Sequence, residues 1–486
     1  MMTISWTDLN VILPVVVVVV WTLLLVLVDL WVPANRKDIT ALLAALGLTA
    51  GLGVTLARAG APAELGFNGM VAADSFATFL NVLFFGSGIL AVMTARDYLH
   101  RMEMDRGDFY PLLMLSIAGM ALMSQAHDLI MVFLALEMLS IPLYVLTGYG
   151  RPRPSSQEAS LKYFLLGTFS SAFMLFGIAL VFGATGSTGL DQINTAVAAQ
   201  AHNPGLFLVG ASLILVGFGF KMAAVPFHVW SPDVYQGAPT PVTAFMSVGA
   251  KAAGVAAMAR VFLIAFPSLA ADLTPILWSL AALTMVVGNV AALAQTNIKR
   301  LLAYSSIAHG GYILMAFVVY GQPDLVGDAI GAMLFYLVVY ALSSFGAWSV
   351  VMTLERSEEK GLALEDFAGL GRRSPWIGFA MLVFMLSFTG MPLTLGFWGK
   401  FYLFRSAVAG GFTGLAVIGV LASVASAFYY LRVVVYIFMR PGEVELPAGT
   451  YWVRWVAVVA ATAVVLLSFV PGPLLDLAAQ VLSSFL

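Results

Sequence analysis

The chain has 486 residues, of which 61% are hydrophobic and 10% charged; a soluble domain carries roughly a quarter charged residues, so the polar coat of a water-soluble fold is missing. The net charge of −2 supplies no basic surface for nucleic acid. The absence of cysteine excludes disulfides, thiolate metal sites, iron–sulfur ligation and covalently attached haem, and the five histidines form no HxxH-type pair.

A chain of this composition takes lipid as its solvent, and a bilayer span needs about 20 apolar residues. The sequence predicts an all-α polytopic membrane protein with about fourteen spans. In chain order they are Asn10–Val32, Ile39–Ala57, Phe76–Ala95, Phe109–Gln125, Leu129–Tyr149, Leu161–Phe182, Leu206–Val229, Val242–Phe266, Pro275–Ala294, Leu301–Tyr320, Leu325–Leu354, Trp376–Ala407, Gly414–Phe438 and Trp452–Val470. The runs are continuous and do not alternate, which excludes a β-barrel. Met1 to Leu9 holds no Lys or Arg, so the first run reads as a true span and not as a signal peptide.

Charge placement tests this count. With the N-terminus outside, the cytoplasmic loops and adjoining span edges hold Arg36, Lys37, Arg96, Arg101, Arg106, Arg151, Arg153, Lys162, Lys299, Arg300, Arg356, Lys360, Arg372, Arg373, Arg440 and Arg454. The opposite loops hold only Arg58. A wrong count would scramble this segregation, so the pattern predicts both termini on the outer side.

Two predicted spans are interrupted. The seventh carries Val225-Pro226 after Gly217 and Gly219, and the twelfth carries Gly390-Met391-Pro392. Proline removes a backbone donor and clashes with the preceding turn, which lipid tolerates only where protein or water re-satisfies the freed groups. The two breaks lie five spans apart, so units made of spans 4–8 and 9–13 have opposite topology. Inverted repeats with paired broken helices build the ion sites of many transporters. The predicted division is a three-helix segment (1–108), a first repeat (109–266), a second, inverted repeat (267–440), and a last helix with its tail (441–486).

Ionisable residues inside spans complete the pattern. Glu137 is mid-span five, Lys221 lies just before the break of span seven, Lys251 is mid-span eight, His309 is mid-span ten and Lys400 is in broken span twelve. A charge at a helix centre costs at least ~2.5 kcal/mol on insertion scales, so three lysines and a glutamate are hard to read as accidents. Desolvation disfavours a charged lysine and a nearby carboxylate favours it, so a buried lysine whose carboxylate approaches or departs can take up and release a proton. The expected order is Glu137 modulating Lys221, Lys251 as central relay and Lys400 as the exchange point toward the far side. Tyr304, Ser305, Ser306 and water would bridge the longer gaps. Blander readings stand beside these. Glu137 can be a structural partner of one lysine, His309 a neutral hydrogen-bonded histidine, His228 a helix cap, and the whole set a lock on packing. Arg260, Arg405 and Arg432 are nearer span ends and are expected to snorkel.

The stretch Phe220–Val242, containing Lys221-Met222-Ala223-Ala224-Val225-Pro226-Phe227-His228 and Pro232-Asp233-Val234-Tyr235-Gln236-Gly237-Ala238-Pro239, resembles the signature of proton-translocating NADH–quinone oxidoreductase (complex I) membrane subunits, in the form of subunit N more than of L or M. Gln295–His309 is similar to the same family, and no long helix follows span fourteen, as it does in subunit L. The resemblance covers essentially the whole chain. It implies an antiporter-like subunit that moves protons, driven by quinone reduction elsewhere. It places the family's glutamate on Glu137 and its lysines on Lys221, Lys251 and Lys400. It implies NADH, FMN, iron–sulfur clusters and quinone in partner subunits and no cofactor here, and neighbours such as antiporter-like subunit M and the small subunits K and J. The implied location is the bacterial cytoplasmic (inner) membrane. An Mrp-type cation/proton antiporter subunit and the homologous subunit of a ferredoxin- or deazaflavin-linked complex share the pattern.

Overall fold

Apolar runs in lipid must satisfy their backbone internally, and helices do so within one segment. In the computed structural model, which describes residues 5–150, 153–356, 360–444 and 446–485, nearly every element is a helix. Arg151 and the first four residues of the uncharged flank lie outside the described residues.

Helices α1 (Trp6–Val11) and α2 (Leu13–Asp29) are separated only by Ile12. Next come α3 (Asp38–Ala57), α4 (Ser75–Arg101), α5 (Phe109–Gln125), α6 (Leu129–Thr147), α7 (Pro154–Thr185), the short α8 (Leu190–Ala198), α9 (Pro204–Met222) and α10 (Trp230–Gly237). Helix α11 (Thr240–Phe245) runs through a π-helical turn, Met246–Ala250, into α12 (Lys251–Arg260). The remainder is α13 (Ala270–Leu293), α14 (Ile298–Leu314), α15 (Pro323–Leu354), α16 (Leu370–Arg373), α17 (Pro375–Thr389), α18 (Leu395–Ala409), α19 (Thr413–Met439), α20 (Tyr451–Phe469) and α21 (Gly472–Gln480). Side-chain caps start several of them: Asp74 accepts from Ala77 N at 2.8 Å, and Asp128 from Ile130 N at 2.7 Å.

Among the described residues, eleven helical segments are long and apolar enough to cross a bilayer, and Leu13–Asp29, Phe109–Gln125 and Pro375–Thr389 are apolar but shorter. Among the described residues a hairpin also forms, β1 (Glu64–Gly66) against antiparallel β2 (Val71–Ala73). Its turn needs positive φ at Phe67, Asn68 and Gly69, and the Asn-Gly pair supplies that locally. Helices α7 and α15 are each 32 residues, longer than the apolar runs that announce them, because polar residues at their N-termini, Pro154–Ser160 and Pro323-Asp324, are helical too.

Burial orders the helices. The spans Thr240–Ala265 and Ile298–Val319 are 89% and 94% buried over their most apolar windows, against 39% for Asp38–Ala57 or Thr413–Met439, so they form the axis that the others surround. Helix backbones meet where side chains are absent. A Cβ on Gly177 of α7 would stand 2.7 Å from the Gly210 carbonyl of α9, and one on Gly288 of α13 would stand 2.7 Å from Ala308 N of α14.

The three arginines expected to snorkel do three different things. Arg260 is fully buried: its guanidinium pairs with Asp74 at 2.7 Å and donates to Ser124 O at 2.5 Å, tying α12 to the starts of α4 and the end of α5. Snorkelling is therefore wrong for Arg260, since its partner carboxylate comes from a cap far away in sequence. Arg432 donates to the carbonyls of Leu293 at 3.1 Å and Gln295 at 2.5 Å, at the negative end of α13. Arg405 is exposed.

Candidate proton-relay site

The first break makes the first lysine's surroundings. Helix α9 stops at Met222, four residues before the proline, where Ala223 takes a left-handed conformation (φ 56°). The freed groups find partners from other elements. Val225 N donates to Thr284 Oγ1 of α13 at 2.9 Å, and Trp230 Nε1 donates to Phe220 O at 3.1 Å. Lys221 sits in the last turn of α9, where the helix dipole favours a cation. Its Nζ donates to Ser140 Oγ of α6 at 2.7 Å and to Tyr163 OH of α7 at 3.3 Å, and lies 5.5 Å from the centre of the Tyr163 ring. Stacking of Tyr163 on Trp230, at 4.7 Å between ring centres, holds that ring.

Glu137 is one turn before Ser140 on α6, half-buried, and accepts from Ser171 Oγ of α7 at 2.5 Å. No direct ion pair joins it to Lys221. A cavity of about 10 Å³ lined by Ser140, Ser170, Ser171, Gly217 and Lys221 lies beside Lys221 and reaches Ser171, the hydrogen-bond partner of Glu137, a volume that suits a single water.

Lys251 is 2% exposed and follows the π-helical turn directly. Such turns interrupt the regular ladder and cluster at functional positions. Its Nζ donates to the carbonyl and, at 2.9 Å, to the hydroxyl of Ser306 on α14, and lies 5.7 Å from the centre of the Tyr340 ring of α15. Two glycines set the neighbouring groups close. A Cβ at Gly310 would be 3.1 Å from Met222 O and 3.4 Å from Lys251 Nζ, and one at Gly254 would be 3.3 Å from the Lys221 stem. The end of α9 therefore packs directly on α12 and α14.

Beyond Lys251 the polar groups are aromatic hydroxyls. Ser305 Oγ and Tyr430 OH are 2.5 Å apart, Tyr430 OH is 3.1 Å from His309 Nε2, and Tyr336 OH is 2.5 Å from His309 Nδ1. Lys400 is in α18, after the second break, where Gly390 and Leu393 have positive φ. Its Nζ donates to Thr389 O, the last carbonyl of α17, at 3.2 Å and to Ser423 Oγ of α19 at 2.9 Å. It also stands 4.5 Å from the centre of the Tyr312 ring, whose hydroxyl accepts from Ser423 at 3.1 Å and from Asn289 at 3.4 Å.

Thus Lys221, Lys251, His309 and Lys400 share one buried band through the axial helices, with Glu137 at its half-exposed end. Two predicted members stand apart. Tyr304 is half-buried beneath the Arg300 guanidinium at 5.9 Å. His228 occupies the turn between α9 and α10, its carbonyl accepting from Ser231 N at 2.9 Å. Sequence reasoning missed Ser140, Tyr163, Ser171, Tyr312, Tyr336, Tyr430 and Ser423. Only Ser140 left a local signal, one turn from Glu137. The signature stretch has a second role: Asp233 of α10 pairs with Lys162 of α7 and Arg300 of α14, both at 2.7 Å. Burial raises the Asp233 carboxyl, but those hydrogen bonds outweigh it and hold it below the usual carboxylate value.

The family described as NADH:quinone oxidoreductase/Mrp antiporter, transmembrane, matches residues 126–426. The chain is 46% identical to NADH-quinone oxidoreductase subunit N of Trichlorobacter lovleyi, over 96% of this chain and 94% of that one. It superposes on a chain of respiratory complex I from Thermus thermophilus with bound aureothin at a TM-score of 0.82 and 37% identity, covering 96% of this chain and 99% of that one. A chain of the Mrp complex from a Dietzia species gives a TM-score of 0.85 over 99% and 98% of the two chains, but at 18% identity it speaks to fold alone. On sequence and fold together, the chain belongs to the family of NADH-quinone oxidoreductase subunit N.

Proposed function

We propose that this chain is the antiporter-like subunit N of a proton-translocating NADH–quinone oxidoreductase and carries protons through the relay Glu137, Lys221, Lys251, His309 and Lys400. The observation that carries the reading is the band itself. Three lysines, each 4% exposed or less, lie in one hydroxyl-lined row through the core of a lipid-facing bundle. Isolated buried charges are costly, and each lysine here is held by hydroxyls, joined at Lys251 and Lys400 by one helix carbonyl, without a carboxylate in direct contact among the described residues. Such a site tolerates both protonation states. A charge change at Glu137 raises or lowers the affinity of Lys221 for its proton. The proton passes to Lys251, across the close packing at Gly254 and Gly310, and then by way of Ser306, Ser305, Tyr430 and His309 toward Lys400. Quinone reduction in partner subunits supplies the drive.

The bundle is read as fourteen crossings. The eleven long helical segments are joined by Leu13–Asp29, Phe109–Gln125 and the pair α17–α18, with residues 109–266 and 267–440 as inverted repeats flanked by 1–108 and 441–486. Tyr304 and His228 flank the relay at its cytoplasmic side. Expected neighbours are antiporter-like subunit M and the small subunits K and J, in a bacterial inner membrane with both termini outside. NADH, FMN, iron–sulfur clusters and quinone sit in those or other partner subunits. The test is Lys251→Ala in the assembled complex. Protons moved per quinone reduced should fall sharply. Normal pumping refutes the relay, and loss of assembly with normal pumping per assembled complex favours a packing role.

A further inference from the structure

Lys251 needs a supply of protons from one side, and a second row of buried polar groups, separate from the band above, runs from it to the end of α15. Glu355 terminates α15 and is 1% exposed. Its Oε1 accepts from Tyr98 OH of α4 at 2.8 Å, and its Oε2 accepts from Thr240 Oγ1 at the start of α11. Two arginines face it: Arg153 Nη1 is 3.9 Å from Oε1, and Arg101 of α4 donates to the nearby Met352 O at 2.6 Å. Arg101 Nε and Nη1 are buried with no hydrogen-bond partner among the described residues. The carboxylate is thus set among basic residues at the end of the bundle that charge placement assigns to the cytoplasm.

From Thr240 the helix carries hydroxyls on one face at Thr243 and Ser247, and then Lys251 itself, at steps of three, four and four residues. All three hydroxyl residues are 0% exposed. About 10 Å of axis separates Thr240 from Ser247 at 1.5 Å per residue, with Thr243 midway. Ser247 Oγ and Ser344 Oγ of α15 are 2.9 Å apart. One turn back on α15 is Tyr340, whose ring lies beside the Lys251 ammonium. Helix α15 therefore contributes Glu355, Ser344 and Tyr340 to the same seam at intervals of eleven and four residues. No residue on this seam has a role in the relay proposed above except Lys251.

We infer that Glu355 is the cytoplasmic proton intake of this chain, passing protons to Lys251 along Thr240, Thr243, Ser247 and Ser344. The inference rests on the relay reading, because it needs Lys251 to be the acceptor. A proton from cytoplasmic water binds a Glu355 carboxylate oxygen. Each hydroxyl then takes a proton on its oxygen and gives its own onward, with single waters spanning the one-turn gaps. The last proton forms a bond to the neutral Lys251 amine, and the hydroxyls are left reoriented but otherwise unchanged. Giving its proton onward leaves Glu355 anionic again, facing Arg153 and Arg101.

The test is Glu355→Gln in the whole complex, reconstituted in liposomes, with protons moved per quinone reduced as the readout and Lys251→Ala measured in parallel. The expected result is loss of this chain's share of the protons in both variants, with Glu355→Asp restoring part of it. An unchanged ratio in Glu355→Gln beside a lost ratio in Lys251→Ala overturns the intake and leaves the relay standing. A normal ratio in Lys251→Ala overturns both. Lower assembly of Glu355→Gln with an unchanged ratio per assembled complex makes the residue a packing lock and also overturns the intake. Should Glu355→Gln fail to assemble at all, Ser247→Ala with Ser344→Ala interrupts the row by removing only two hydroxyls. Loss of the ratio then supports the intake and an unchanged ratio overturns it.

Discussion

The two helix breaks use the same device in opposite order. At the first, Lys221 precedes the break in the last turn of α9; at the second, Lys400 follows it in α18 and reaches back to Thr389 O, the last carbonyl of α17. The Lys400 ammonium is thereby placed at the negative end of a half-helix, and Lys221 is carried by the last turn of one. Their other partners differ. Lys221 has Ser140, the Tyr163 hydroxyl and a water-sized cavity that Ser171, the hydrogen-bond partner of Glu137, also lines. Lys400 has Ser423 and a tyrosine–asparagine cluster, with no acidic side chain in contact among the described residues. A carboxylate can switch a lysine's proton affinity by gaining or losing a neighbouring charge, whereas hydroxyls and amides hold it steady. On the relay proposed above, the first break is the modulated station and the second the fixed one.

The largest expected effects fall on the lysines and test what the breaks share. Lys221→Ala and Lys400→Ala should each remove this chain's share of the protons moved per quinone reduced, by slowing its own proton transfer the ~10²-fold or more that loss of a positioned proton carrier typically brings. If only one of them does, the two breaks are not equivalent stations on one path. Glu137→Gln asks what they do not share. It keeps the Ser171 hydrogen bond and removes the charge, and a neighbouring charge is worth on the order of one pKa unit or more. Initial pumping should fall roughly tenfold, and an equal fall from a neutral substitution among the Lys400 partners would erase the distinction.

Smaller effects sharpen it further. Tyr336→Phe removes the 2.5 Å contact to His309 Nδ1; turnover should drop severalfold while the assembled complex stays intact on native gels. Ser423→Ala deletes one hydrogen bond from Lys400, worth about 1.5–3 kcal/mol for a charged donor. Because Thr389 O remains, pumping should fall less than in Ser140→Ala, whose loss leaves Lys221 only the 3.3 Å contact to Tyr163. Equal losses in the two serine variants would mean that the helix carbonyl contributes little at the second break.

Much of this was legible before any fold. Long apolar runs, charged loops of one sign and two Pro-Gly interruptions are local features, so the helices and both breaks are found near the predicted places. Glu137, Lys221, Lys251 and Lys400 stood out because an ionisable group in an apolar run is visible without knowing its neighbours. Boundaries were less legible. Helix α9 ends at Met222 because Pro226 cannot donate to the carbonyl four residues back and clashes with it; Ala223 turns left-handed there and Val225 N finds Thr284 instead.

What the sequence alone determined is therefore the solvent of this protein, the rough limits of its apolar segments, and the presence of charges that lipid penalises. The tertiary structure decided which groups those charges meet. It set Arg260 against Asp74, drew Tyr336 and Tyr430 to His309, and left Tyr304 beneath Arg300. Hydrophobicity is a property of a segment and can be summed along a chain, whereas a hydrogen bond at 3 Å depends on two residues that may be 186 positions apart, and only packing brings them together.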